Sequence, residues 1–183
     1  SGSVGRLLHD MKAKVVNPDS GIELPIGETG LLKVKGPNVM LGYLGMPDKT
    51  AEVLQNGWYD TGDIVRLDKE GFLWIEGRLS RFSKIGGEMV PHGNIEETLN
   101  ELADQNEQIF AVTGVPDEKK GERLVVIHTA NEELLDEVLK KFSDAPIPNL
   151  WKPRPGQFLS VPKLPYLGTG KIDLRGLQQI AES

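Results

Sequence analysis

The sequence predicts an α+β protein: an antiparallel β unit over residues 1–79, followed by a small α+β domain over residues 80–183. Before about residue 77, short apolar runs alternate with Gly, Pro, Asn and Asp, as in strands joined by turns. After residue 80, apolar residues recur at helical spacing between short strands. This change of pattern falls near Ser80, where we place the domain boundary.

The β unit is predicted from its apolar runs and the turn residues between them. Asn-Pro-Asp-Ser-Gly and Asp-Lys-Glu-Gly segments separate the runs, and both compositions are typical of turns. One short helix near residues 48–55 interrupts the strands. This part is therefore expected to be a fragment of a β-barrel or sandwich, with strands at 13–16, 31–34, 64–67 and 72–75.

The second part opens with a predicted hairpin, in which Gly86 and Gly87 form the turn between residues 82–85 and 88–90. Asn94 precedes apolar residues at helical spacing, so we predict it as the N-cap of a first helix.

Two further helices and three further strands are expected beyond this helix. Asn131 is predicted to cap the second helix and Asp173 the last, because short polar side chains satisfy the free amides of a first turn. The predicted strands are 109–115, 124–129 and 157–161, the last within a Pro-rich stretch.

Composition and charge exclude several classes of protein. The net charge of −6 disfavours a nucleic-acid binder, which normally presents a basic face. The 183 residues include no cysteine, which removes disulfides, thiolate metal sites and a cysteine nucleophile. No apolar run approaches the roughly 20 residues that span a bilayer, and no signal peptide is visible.

Four segments carry the functional signal, and each has a plain structural interpretation when taken alone. Residues 27–43 predict a hairpin and loop, and 57–64 a tight turn into a strand. Residues 77–90 predict a charged hairpin. Residues 167–173 contain Gly-Thr-Gly-Lys but lack the upstream glycine spacing of a phosphate-binding P-loop, so a flexible surface loop is expected.

Together, and in this order, the Tyr-x-Thr-Gly-Asp, Gly-Arg and Gly-x-Gly-Lys elements resemble the adenylate-forming superfamily of acyl-CoA synthetases, peptide-synthetase adenylation domains and luciferases. The resemblance implies that Asp63 binds the ribose hydroxyls of ATP and that Arg78 contacts the same nucleotide. It implies that Lys171 is catalytic and bridges the substrate carboxylate and the α-phosphate. ATP and Mg²⁺ are the implied cofactors, with no metal ligand assigned in this sequence.

The resemblance also implies how the two parts work. Residues 1–79 would end the large AMP-binding domain, and residues 80–183 would form a mobile C-terminal lid that rotates about a hinge at Ser80. The family's phosphate loop, its Tyr-Gly-x-Thr-Glu segment and the acyl pocket would lie upstream. We therefore expect these 183 residues alone to be inactive.

The hairpin is similar to that of the acyl-acyl-carrier-protein synthetase modules of bacterial bifunctional 2-acylglycerophosphoethanolamine acyltransferases. Its acceptor-side residues are Lys84, Gly86, Gly87 and Met89, and Arg is usual in the superfamily where Met89 stands. Because Met cannot bind a phosphate, free coenzyme A becomes the less favoured acceptor. The implied partners are a fatty acid and an acyl carrier protein, for re-acylation of lysophospholipid on the cytoplasmic side of the inner membrane.

A docking patch for an acidic carrier protein should be basic. From Ser80 onward the net charge is −4, yet residues 152–175 hold five Lys and Arg residues against one acid. Lys152, Arg154 and Lys163 are the candidate docking residues, and a solvated basic face explains the pattern equally well.

Two alternatives remain open at this point: a fatty acyl-CoA ligase of the same superfamily, or a non-catalytic module that docks carrier proteins. Of the histidines, His128 is expected to be structural, because it lies in an apolar strand, and His92 to be an exposed turn residue.

Overall fold

The computed structural model describes residues 2–183, which are mixed α+β with mainly antiparallel sheets, as the sequence predicts. The chain folds into two compact units, Ser1–Ser80 and Arg81–Ser183. Each unit has its own hydrophobic clusters. No helix within residues 2–183 is long and apolar enough to cross a membrane.

Unit 1 is built on one six-stranded antiparallel sheet. Its strands are β1 (Gly5–Arg6), β2 (Lys12–Val16), β3 (Thr29–Lys35), β4 (Leu54–Gln55), β5 (Trp58–Leu67) and β6 (Phe72–Arg78). They follow the path β1-β6-β5-β3-β2, with β4 paired to β5. One face buries a cluster centred on Val15, Leu32, Val65 and Leu73. The helix α1 (Pro47–Val53) is shorter than predicted and contains no buried residue.

Strand β5 begins six residues before the predicted start, so the Tyr-Asp-Thr-Gly-Asp segment lies inside a strand. The predicted turn is confined to Asn56 and Gly57, which lead directly into the strand, and β5 then pairs with β3, β4 and β6. The segment keeps an irregularity, however: the pairing of β5 shifts register on both sides, and Gly62 adopts a φ of 70°. Glycine accepts that left-handed conformation without a side-chain clash.

Unit 2 places three helices against a five-stranded sheet. The helices are α2 (His92–Ala103), α3 (Glu132–Ser143) and α4 (Leu174–Glu182); the strands are β7 (Phe82–Ile85), β8 (Glu88–Pro91), β9 (Phe110–Asp117), β10 (Gly121–His128) and β11 (Phe158–Ser160). Strand β11 pairs parallel to β10, and the other pairs are antiparallel. Helices α2 and α3 cover one core cluster and α4 the other.

Two of the three predicted helix caps are confirmed. The Asn131 side chain accepts a hydrogen bond from the Leu134 amide, and the Asp173 side chain accepts one from the Arg175 amide. The cap predicted at Asn94 is wrong, because α2 begins two residues earlier, directly after Pro91. Asn94 is thus an exposed residue of the first turn, and its carbonyl accepts from the Thr98 hydroxyl at 2.8 Å.

Candidate functional site

Asp63 and Arg78 face each other across the β5–β6 ladder. Arg78 Nε lies 3.0 Å from Asp63 Oδ1, and Arg78 Nη1 donates to the Thr61 carbonyl at 2.8 Å. The Asp63 side chain is 21% exposed and that of Arg78 is 64% exposed. The carboxylate therefore keeps lone pairs for hydroxyl donors, and the guanidinium keeps donors facing solvent.

The segment around Asp63 is held by short-range hydrogen bonds. The Thr61 hydroxyl donates to the Leu32 carbonyl and accepts from the Asp63 amide, both at 3.0 Å, while the Asp60 carboxylate accepts from the Gly62 amide. These contacts fix the backbone direction at Asp63. A preorganised carboxylate of this kind binds a diol with little ordering cost.

The hairpin of β7 and β8 sets Lys84 directly opposite Met89, with Gly86 and Gly87 at the turn as predicted. Both glycines have positive φ, 60° and 92°, which an L side chain would strain. The Gly86 amide donates to the Lys120 carbonyl at 2.9 Å, which ties the turn to the β9–β10 connection. The tip of the hairpin is thus held in place, and the side chain of Met89 is partly exposed.

Behind the hairpin lies a buried polar pair that the sequence did not indicate. Ser83 Oγ and His92 Nε2 are 2.8 Å apart, and both residues are buried. Gly114 makes room for the pair, because a Cβ there would lie 1.9 Å from Ser83 Oγ. Burial, reinforced by the nearby Arg81 charge, lowers the pKa of His92 to about 3. The prediction of an exposed His92 is wrong, because its ring is buried and lies against the Ser83 hydroxyl of the hairpin.

A second network joins the start of unit 2 to its central sheet. The Arg81 guanidinium pairs with the Glu96 carboxylate, which also accepts from the Val112 amide at 2.6 Å. Arg81 in turn donates to the Val112 carbonyl at 3.4 Å. Burial raises the pKa of Glu96, and Arg81 and the Val112 amide partly offset that effect. Arg81 is the residue directly after Ser80.

Lys171 lies at the end of a short hydrogen-bonded loop. The Lys171 carbonyl accepts from the Leu167 amide at 2.8 Å, and the Leu167 carbonyl accepts from Gly170, whose φ is 81°. A bridge between Tyr166 and Ile172 closes the base. The loop thus has a defined backbone path, and Lys171 is exposed on it.

Lys152 and Arg154 line a cleft of about 320 Å³ that also borders Ile85 of the hairpin. Lys120 and Arg123, from the β9–β10 connection and β10, line the same cleft. A count of charged residues along one stretch of sequence could not identify Lys120 and Arg123, because only the fold brings them next to Lys152 and Arg154. Lys163 is exposed and is not among the residues lining this cleft.

His128 is buried between the rings of Phe110 and Phe158, as expected for a structural residue. Burial lowers its pKa. In the described part of the chain, no three His, Asp or Glu side chains cluster in a way that could hold a metal ion.

Comparison with known proteins identifies the family. Residues 1–44 match the AMP-binding enzyme family, and residues 94–171 match the AMP-binding enzyme C-terminal domain. The chain belongs to the AMP-binding enzyme family.

Several similar curated proteins are named as acid–CoA ligases. A long-chain-fatty-acid–CoA ligase of Escherichia coli O6:H1 is 36% identical over 182 residues, covering 99% of this chain and 32% of the relative. A 2-succinylbenzoate–CoA ligase of Bacillus cereus is 34% identical over 181 residues, covering 99% of this chain and 36% of the relative. The chain thus spans about a third of the length of these relatives.

Solved structures show the same fold. An ATP-bound RpMatB-BxBclM chimera superposes with a TM-score of 0.75 at 32% identity, covering 97% of this chain and 36% of the other. The anthranilate CoA ligase AuaEII in complex with anthranoyl-AMP gives a TM-score of 0.72 at 28% identity, covering 99% and 34%.

Proposed function

We propose that this chain is part of a ligase that activates a fatty acid with ATP and transfers the acyl group to the thiol of an acyl carrier protein. The observation that carries the adenylation half is the Asp63–Arg78 pair, a half-buried carboxylate beside a partly free guanidinium on facing strands. Family membership and the acyl-AMP and ATP complexes of similar structures support it.

The first half-reaction joins the fatty acid to AMP. A carboxylate oxygen of the acid attacks the α-phosphorus of ATP, the bond to the β-phosphate oxygen breaks, and pyrophosphate leaves. The Asp63 carboxylate accepts hydrogen bonds from the ribose hydroxyls, and the Arg78 guanidinium donates hydrogen bonds to the nucleotide. Lys171 bridges the two anions and stabilises the negative charge that accumulates around phosphorus. Mg²⁺ would screen the phosphates when bound.

The second half-reaction passes the acyl group to sulfur. The thiolate attacks the acyl carbon, AMP leaves with the oxygen, and a thioester forms. In this proposal, residues 80–183 are a lid that rotates about Ser80, presenting the Lys171 loop for the first step and the glycine hairpin for the second. Residues 1–79 end the large domain that binds the nucleotide.

Ser80→Pro in the full-length enzyme is expected to slow acyl transfer on the order of 10- to 100-fold while affecting adenylation less. Proline holds φ near −65° and restricts the rotation that a hinge must make. Single-turnover assays of each half-reaction make the measurement, and Ser80→Ala serves as the matched control. Wild-type rates for both steps in Ser80→Pro would exclude Ser80 as the hinge.

The choice of acceptor rests on Met89 and on the basic cleft. Met89 gives the hairpin no phosphate-binding cation, and the cleft beside it is lined by four cations, Lys120, Arg123, Lys152 and Arg154, against one acid, Glu122. Acidic carrier proteins complement such a surface. Re-acylation of lysophospholipid on the cytoplasmic side of the inner membrane is the use we propose for the thioester.

A second candidate is a fatty acyl-CoA ligase, favoured by the long-chain-fatty-acid–CoA ligase among the relatives. Comparing kcat/KM for carrier protein and coenzyme A in the full-length enzyme distinguishes the two acceptors. A third candidate, a non-catalytic docking module, predicts that Lys171 is dispensable for thioester formation.

Lys152→Glu combined with Arg154→Glu is expected to raise KM for carrier protein about tenfold and to leave KM for ATP and fatty acid unchanged. The effect should shrink as salt rises, because the Debye length is about 10 Å at 0.1 M. Lys69→Glu with Lys140→Glu, two exposed lysines outside the cleft, is the charge-matched control. Steady-state kinetics at two salt concentrations provide the measurement.

Met89→Arg tests the same acceptor choice from the hairpin, since restoring the cation should improve use of coenzyme A. If Lys152→Glu with Arg154→Glu leaves KM for carrier protein unchanged, the proposal that these residues dock the carrier protein is wrong. If the wild-type enzyme prefers coenzyme A, the carrier-protein proposal is wrong and the acyl-CoA ligase is favoured. The proposal of adenylate formation would not be affected.

A further inference from the structure

Unit 1 carries an unusual arrangement of lysines on the sheet. In the antiparallel β2–β3 ladder, Lys12 lies directly opposite Lys35, and Lys14 lies directly opposite Lys33. Like charges in directly opposite positions destabilise a sheet. Two such pairs in succession oppose folding rather than assist it, which points to a role in binding.

All four lysines lie on one face of the sheet. Side chains alternate along a strand, and the intervening residues Ala13 and Val34 pack against the core cluster on the other face. On β5, Trp58 lies beside the lysines, with Lys14 Nζ 4.5 Å from its ring centroid. We call Lys12, Lys14, Lys33, Lys35 and Trp58 the lysine face.

Nearby carboxylates neutralise this face only in part. Asp60 Oδ2 lies 3.6 Å from Lys33 Nζ. Glu52 lines a small cleft together with Lys14 and Lys33. Two acids against four cations leave a net positive charge, within a chain of net −6. A field of the opposite sign to the whole molecule selects an anionic partner.

An exposed apolar loop adjoins the lysine face. The chain leaves β3 at Lys35 and enters this loop, and a cleft of about 330 Å³ is lined by Lys35 together with Val39, Met40 and Leu41. The side chains of Leu41 and Leu44 are fully exposed in this chain, at 100% and 101%. Fully exposed large aliphatic side chains favour binding to an apolar partner.

We propose that the lysine face and the adjoining loop, residues 36–46, dock on the surface of an anionic lipid bilayer. The lysines contact lipid phosphates as separate point charges, which suits a diffuse array of anions better than bidentate arginines would. Leu41 and Leu44 enter the boundary between headgroups and acyl chains, and Trp58 lies at the same level.

An acidic protein complements only half of this surface. It would pair with the lysines but would leave the two fully exposed leucines without a matching feature, whereas a bilayer accommodates both. Binding at the bilayer surface is independent of the proposed acyl transfer, since none of these residues belongs to the site assigned above.

Vesicle flotation of the full-length protein tests the proposal. We expect it to float with vesicles of equal parts phosphatidylglycerol and phosphatidylcholine, and not with phosphatidylcholine alone. Lys12→Glu with Lys35→Glu should lower the partition coefficient about 30-fold or more, because each basic residue contributes substantially near an anionic leaflet. The charge-matched control, Lys69→Glu with Lys140→Glu, should remain within about threefold of wild type.

Leu41→Gln with Leu44→Gln should weaken binding by about tenfold or more without removing its salt dependence. Because both side chains are exposed, the variant should fold as wild type does. Equal flotation with neutral vesicles, or undiminished binding by the lysine variant, would overturn the proposal. Retention on immobilised acyl carrier protein that the lysine variant loses, without vesicle binding, would overturn it in favour of a protein partner.

A polarity-sensitive dye attached to the loop tests whether other parts of the longer protein cover residues 36–46. The chain has no cysteine, so Leu41→Cys introduces a single site within it for a polarity-sensitive dye. We expect a polar signal in buffer that becomes apolar when anionic vesicles are added. An apolar signal in buffer alone would mean that protein covers the loop, and the docking surface would be rejected.

Discussion

Lys171→Ala in the full-length enzyme is expected to slow adenylate formation by about 30- to 1000-fold, the effect of removing roughly 2–4 kcal/mol of transition-state stabilisation. Transfer from a supplied acyl-adenylate should proceed at the wild-type rate, because in the proposed mechanism the lysine serves only the adenylation step. The two half-reactions are measured separately, by pyrophosphate release and by thioester formation.

Two matched variants sharpen this comparison. Lys140→Ala removes an exposed lysine elsewhere in unit 2 and should leave both rates unchanged. Lys171→Arg keeps the charge but not the shape, and should recover part of the adenylation rate. Equal losses in both half-reactions for Lys171→Ala would contradict the alternation of two lid orientations.

Glu96→Ala is expected to destabilise unit 2 by about 3 kcal/mol. The change leaves the Arg81 guanidinium without its carboxylate and the Val112 amide without its acceptor, and both groups lie in largely buried surroundings. Urea denaturation gives the free energy of unfolding, and the slope with urea should not change.

The neighbouring Glu97→Ala is the control, because Glu97 is exposed on the same helix and should alter stability by less than about 0.5 kcal/mol. A double-mutant cycle with Arg81→Ala measures the coupling of the pair. A cost for Glu96→Ala that does not exceed that of Glu97→Ala would show that the Arg81–Glu96 network contributes nothing to the fold.

The elements of this fold that depend on local chemistry could be predicted from the sequence. Asn131 and Asp173 cap their helices because a short polar side chain at that position satisfies the first-turn amides. The glycine turn at residues 86–87 follows equally from local conformational preference. Such signals require no knowledge of the rest of the chain.

The errors arose where tertiary contacts override local preference. Asparagine is a favoured N-cap residue, yet α2 does not begin at Asn94. It begins at His92, whose ring is hydrogen-bonded to Ser83, nine residues earlier. The strand expected only from residue 64 begins already at Trp58, directly after the Asn56–Gly57 turn, because three neighbouring strands pair with this segment.

The candidate site divides in the same way. Asp63 and Arg78 were singled out by motif resemblance, and their pairing across two strands became visible only in the structure. The Arg81–Glu96 contact and the cations Lys120 and Arg123 were missed, because the residues involved are 15 to 34 positions apart and are brought together only by the fold. Their functional roles remain predictions.

The central claim, that this chain belongs to an enzyme that forms an acyl-adenylate, is tested most directly by isotope exchange between pyrophosphate and ATP in the full-length protein. We predict exchange that requires a fatty acid, needs no thiol acceptor, and is lost in Lys171→Ala. Absence of exchange with every fatty acid tested, or exchange that persists undiminished in Lys171→Ala, would contradict the account.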